Sequence, residues 1–104
     1  MTKVVYKKNK KSFDFVKING HANFSKKGKD IVCAGISSVV EGSSSFLKKK
    51  YNDLVSIEMN DAEVVFIPLK FSHEVSLCLE MMIYQLANIE NFYPNYLKIK
   101  NLSL

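Results

Sequence analysis

The chain has 104 residues, 47% of them apolar, and a formal net charge of +5. That is enough for one hydrophobic core and too little for two, so 1–104 reads as a single domain in which any active site must share its walls with the core. No run of about eighteen apolar residues occurs, and Met1 to Lys7 alternates apolar with polar residues instead of building a signal-peptide core, which argues against a spanning helix and predicts a cytoplasmic protein.

Residues 3 to 8 and 12 to 19 pattern as two strands joined by a polar turn at Asn9 and Lys10. That turn sets Val4 and Tyr6 against Phe13 and Phe15. Val16 and Ile18 then point the other way, so a bulge or a sheet covered on both sides is expected. Residues 21 to 29 have no periodicity and read as a mobile loop.

Asp30 is placed to cap a helix over about 31 to 51, with an apolar stripe of Val32, Ile36, Val39, Val40, Phe46 and Leu47. Gly35, Ser38, Gly42 and Ser45 recur on another face, and their poor helix propensity predicts close packing against a neighbouring backbone. Leu54 to Met59 and Ala62 to Leu69 flank a turn at Asn60 and Asp61. This turn pairs Ile57 with Val64, Val55 with Phe66, and Glu58 with Glu63, the last pair tolerable only in water.

Ser72 caps a second helix over about 73 to 90, with Glu74 suiting the positive end of its dipole. Val75, Leu79, Met82, Leu86 and Ile89 form its core stripe, and Leu77, Met81 and Tyr84 form a second one. A chain this small cannot easily cover both, which predicts a homodimer with this helix at the interface. Tyr93-Pro94 ends the helix, and 96 to 102 alternates as a last, edge strand. The expected architecture is α+β: a mostly antiparallel sheet of two hairpins and a C-terminal edge strand, packed with two helices as a two-layer sandwich.

All fifteen basic residues are lysine. Arginine is the usual residue for two-pronged grips on phosphates and base edges, so its absence weakens specific nucleic-acid recognition. Lys7, Lys8, Lys10, Lys11 and Lys48 to Lys50 read as solvated turn lysines.

Two unlike cysteines without an export signal do not form a disulfide framework. Cys33, Cys78, His21 and His73 lack any paired metal-ligand spacing, so neither metal nor cofactor is expected. Cys33 falls third after the proposed cap, where unpaired N–H groups and the dipole favour thiolate and where those N–H groups can hold an oxyanion. His21, on the loop before it, can serve as general base and acid. Residue types alone leave this dyad beside a plainer reading of a buried cysteine and a hydrogen-bonded histidine.

Gly20-His21-Ala22, followed by Gly28-x-Asp30-Ile31-Val32-Cys33-Ala34-Gly35-x-Ser37, resembles the signature of the ribosomal-processing cysteine protease (Prp) family of bacteria. The resemblance covers almost the whole chain. It implies an endopeptidase that removes an N-terminal extension from the large-subunit ribosomal protein numbered twenty-seven, with Cys33 as nucleophile and His21 as base. It also implies supporting roles for Gly20, Asp30 and Ser37, and a dimerising α+β sandwich. The segment Asn23-Phe24-Ser25-Lys26-Lys27 is bulkier and more basic than the family pattern. The family's substrate is itself basic, so a chain of charge +5 must recognise it through local apolar contacts or an acidic patch. Two readings compete with the protease: a non-catalytic ribosome- or RNA-associated module, and a cysteine hydrolase of another acyl compound.

Overall fold

The computed structural model describes residues 1–20 and 29–103, with the side chains of Lys29 and Asp30 left out. The predicted mobile loop, with His21 and Phe24, lies outside the described residues.

Five strands, β1 (Thr2–Lys8), β2 (Phe13–Asn19), β3 (Val55–Asn60), β4 (Glu63–Pro68) and β5 (Leu97–Asn101), form one sheet in the order β3-β4-β2-β1-β5. Every neighbouring pair is antiparallel except β1 and β5, which run parallel. Helices α1 (Lys29–Lys50) and α2 (His73–Phe92) pack side by side on one face of it, giving the two-layer α+β architecture the sequence predicts.

The first hairpin differs from its predicted register. Val4 pairs with Ile18 and Tyr6 with Val16, not with Phe13 and Phe15. The register then shifts, Lys7 facing Phe15 and Lys8 facing Phe13, so Asp14 is the extra residue of a bulge. That one insertion brings Phe13 onto the same buried face as Val16 and Ile18. The turn is longer than Asn9 and Lys10. The Asn9 N–H donates to the Ser12 carbonyl at 3.0 Å, and Asn9 Oδ1 accepts the N–H groups of Lys11 and Ser12 at 3.1 and 2.8 Å, a side chain standing in for backbone.

The second hairpin turns at Asp61 and Ala62, one residue later than expected, which pairs Val55 with Pro68, Ile57 with Phe66 and Met59 with Val64. The slide amounts to two positions, so every side chain keeps its predicted face. Glu58 lies opposite Val65, and the expected Glu58–Glu63 pair does not form. Glu63 instead accepts from Asn19 Nδ2 at 2.9 Å and lies 3.5 Å from Lys17 Nζ.

α1 begins at Lys29, so Asp30 sits inside its first turn and is not the cap. Aspartate is favoured at both places, by side-chain capping and by the dipole, and residue type alone does not separate them. Val32, Ile36, Val40 and Leu47 are buried, but Phe46 is 48% exposed and Ser44 takes the inner position. A Cβ at Gly35 would meet the Ile89 side chain at 3.5 Å, an ordinary contact, and Gly42 has nothing described within 4 Å, so the expected close packing requires glycine at neither position.

α2 follows its prediction closely. The Val75 N–H donates to Ser72 Oγ at 3.2 Å as the cap requires, and Val75, Leu79, Met82 and Leu86 are buried, joined by Ile83, while Ile89 is half-buried. On β5, the Ile99 N–H donates to Glu90 Oε2 of α2 at 2.9 Å, which closes part of the sheet's open edge.

Leu47 and Phe46 are adjacent residues with opposite burial, and their truncation separates core from surface. Leu47→Ala is expected to cost about 2–5 kcal/mol of unfolding free energy, and Phe46→Ala about 1 kcal/mol or less. Urea denaturation of both variants checks this.

Candidate active site

Cys33 is half-buried on α1, and it opens onto a cavity of about 280 Å³. Four parts of the chain supply the described walls. α1 contributes Cys33, Ser37 and Glu41 at successive turns of one face, β1 contributes Thr2, the end of β2 contributes Ile18 and Gly20, and the β3–β4 hairpin contributes residues 59–64. Gly20 and Cys33, from the two halves of the sequence motif, therefore line one hollow.

Counted from Lys29, Cys33 is the fifth residue of α1 and not the third after a cap. With Lys29 as the first helical residue, the N–H groups that a helix leaves unpaired end at residue 31. The expectation that Cys33 lies among them is thus corrected. Its side chain still leans back over the first turn, because Cα–Cβ bonds tilt toward a helix's N-terminus, so the dipole continues to favour an anion there.

Gly20 has a structural reason to be glycine. Its φ is +125°, and a Cβ would stand 2.5 Å from the Met1 carbonyl oxygen and 3.0 Å from Thr2 Cα. Its N–H donates to the Ala62 carbonyl at 2.9 Å, tying the end of β2 to the β3–β4 turn. A residue with a side chain would be strained in that backbone state and would collide with main chain that cannot swing away. Gly20 therefore fixes the direction in which the chain leaves β2 toward residue 21. Ser37 is half-buried on the cavity wall, one turn along from Cys33. Of Asp30 only its place in the first turn of α1 is described.

Cys78 sits elsewhere, in a separate hollow between the helices with Phe46 and Gln85. Burial pushes its thiol above the ordinary value, so it stays protonated at neutral pH and is a poor nucleophile. The two thiols are not joined in a disulfide.

Two wall residues are not singled out by sequence reading. Glu41 follows Cys33 by eight residues and Ser37 by four, so helical spacing alone places all three in one row. Asp61 reaches the cavity only because β4 pairs with β2, a long-range contact with no local signal. Both carboxylates are on exposed residues and form no ion pair within the described residues.

A family model described as cysteine protease Prp matches residues 1–98. The ribosomal processing cysteine protease Prp of Mycoplasma genitalium is 35% identical over 92 residues, covering 85% of this chain and 88% of that protein. Its counterpart from Bacillus subtilis is 29% identical over 89 residues, covering 79% and 80%. The crystal structure of an essential ribosomal processing protease Prp from S. aureus with a substrate peptide superposes with a TM-score of 0.86 at 26% identity, covering 97% of this chain and 99% of that one. A second structure of that enzyme, carrying a covalently linked product peptide, gives 0.85 at 27% identity with the same coverage.

Replacing Gly20 by alanine is expected to destabilise the fold by roughly 2–4 kcal/mol, the sum of a positive-φ penalty and a backbone overlap. Thermal unfolding should register a drop on the order of 10 °C; an unchanged midpoint would remove the structural explanation for this glycine.

Proposed function

This chain belongs to the Prp family of ribosomal processing cysteine proteases, and from that membership we propose that it is a single-domain, cytoplasmic endopeptidase with Cys33 as nucleophile and His21 as general base and acid. The observation that carries this reading is the cavity that Gly20 and Cys33 line together. His21 is the next residue after Gly20, which lies on the cavity wall.

The chemistry follows from the residue types. His21 takes the thiol proton, and Cys33 Sγ attacks the scissile carbonyl carbon to form a tetrahedral intermediate. Collapse breaks the C–N bond as the imidazolium returns the proton to the leaving amine, which leaves an acyl thioester on Cys33. Water then attacks the thioester with His21 again as base, releasing the acid product and restoring the thiol. The covalently linked product peptide in a structure of the S. aureus relative supports a covalent route. Unpaired N–H groups in the first turn of α1 are the candidate oxyanion donors. In this scheme Gly20 directs the chain into His21, Asp30 adds negative charge at the positive end of α1, and Ser37 keeps the groove wall small beside the thiol.

The proposed substrate is the N-terminal extension of the large-subunit ribosomal protein numbered twenty-seven. Such a basic partner is repelled at long range by a chain of charge +5. Glu41 and Asp61 on the cavity wall supply the local negative charge that offsets this repulsion at contact.

We further propose that the enzyme is a homodimer through the outer face of α2. Leu77, Met81 and Tyr84 are 57%, 62% and 68% exposed along one side of that helix. A row of three large apolar side chains open to water favours burial against a second copy.

Incubation with a peptide carrying the ribosomal extension tests the dyad. Cys33→Ala should abolish cleavage, His21→Ala should lower kcat/KM by roughly 10²–10⁴-fold, and Cys78→Ala should leave it unchanged. Equal cleavage by the wild type and both dyad variants would sink the assignment. For the assembly, sedimentation at micromolar concentration should give a dimer that Leu77→Glu/Met81→Glu converts to a monomer. A monomeric wild type rules the interface out.

A further inference from the structure

Both helices cover one face of the sheet, and the opposite face is left to solvent. Along β1 the buried Thr2 and Val4 alternate with Lys3, Val5 and Lys7, which point to the open side. On β2 that side carries Phe15, Lys17 and Asn19, and on β5 it carries Lys98 and Lys100. The register assembles these residues into rows across the strands. Lys98 lies beside Lys3, which lies beside Asn19; Lys100 lies beside Val5, which lies beside Lys17. Five lysines therefore share one surface, with strands about 4.8 Å apart and like-facing residues about 6.6 Å apart along each strand.

Their neutralisation is partial. Lys7 is 3.8 Å from Asp14 and Lys17 is 3.5 Å from Glu63, while Lys3, Lys98 and Lys100 have no carboxylate within ion-pair distance among the described residues. Placing Lys3 directly across from Lys98 is unfavourable for the sheet itself, since like charges on facing positions repel. Edge protection explains lysines on β5, the outermost strand, but not those on the interior strands β1 and β2. The charge on this face thus exceeds what folding or edge protection needs.

We propose that the open face of the sheet is a docking surface for the phosphodiester backbone of RNA. The charge complements a polyanion, and the ribosomal processing role named for the relatives makes RNA the polyanion at hand. The chain has no arginine, so the contact follows the backbone without reading bases. A membrane is disfavoured because Val5 and Phe15 are half-buried here, whereas the exposed apolar residues Leu77, Met81 and Tyr84 lie on α2, across the molecule. This surface requires neither Cys33 nor the cavity, so it stands or falls separately from the proteolytic reading.

The test is fluorescence anisotropy of a labelled oligouridine titrated with the full chain over a range of salt concentrations. Binding should weaken with salt along a log–log slope of roughly −3.5, the value for about five neutralised phosphates on a single strand. The triple variant Lys3→Glu/Lys98→Glu/Lys100→Glu should lose about tenfold or more in affinity with a shallower slope. The milder Lys3→Gln/Lys98→Gln/Lys100→Gln should fall between it and the wild type, which covers the case in which the reversal disturbs the sheet. Lys10→Glu/Lys11→Glu/Lys70→Glu has the same net charge as the first variant but changes loop lysines, and it should bind nearly as well as the wild type. Equal losses in both charge-reversed triples would reduce the effect to net charge and overturn the proposal. So would failure to bind RNA at low salt, or binding to anionic phospholipid vesicles in its place.

Discussion

The constraint on which the structure turns is that five strands present two faces and the chain has only two helices to cover them. Placing α1 and α2 side by side on one face buries Val4, Val16, Ile18, Val55, Phe66 and Leu97 of the sheet beneath Val32, Ile36, Val40, Leu47 and the inner stripe of α2. The helices pack closely enough that a Cβ at Gly35 would be in ordinary contact with the Ile89 side chain. Once the helices share a face, the start of α1 lies beside the end of β2, and the cavity at Cys33 is formed from both. The opposite face is then left to polar residues and half-buried aliphatics.

What the sequence shows most clearly is whatever a single element decides for itself. α2 is legible because its cap, its first-turn acid and its apolar stripe all lie within one stretch of chain, and its Ser72–Val75 cap forms as expected. Pairing registers are harder, because sliding a hairpin by two positions preserves the apolar face. Ile57 meets Phe66 instead of Val64, yet both arrangements put the same side chains toward the helices. Only a feature outside the alternation decides between them, here the Ala62 carbonyl that accepts from Gly20. The bulge at Asp14 is the counterpart case. The change of phase between Phe13 and Val16 signals an irregularity, but its placement depends on how Asn9 folds the turn.

At the candidate site, residue types are legible and their causes are not. Gly20 belongs to a recognisable motif, but its necessity comes from Met1, at the other end of β1's pairing with β2. Asp30 illustrates the opposite error, in which a residue suited to a cap lies one turn-position inside the helix. Glu41 is recoverable from the helical spacing that puts it in one row with Cys33 and Ser37, whereas Asp61 requires the strand order.

The net charge of +5 conceals how unevenly charge is arranged. Lys3, Lys98 and Lys100 gather on the open face of β1 and β5, while Glu41 and Asp61 line the cavity near Cys33. A screening length of about 8 Å at physiological salt makes each of these groups act chiefly on what touches it. A cationic peptide therefore meets a carboxylate-bearing wall at the groove even though the molecule as a whole repels it. The overall charge bears on the encounter, and the local arrangement on the bound state.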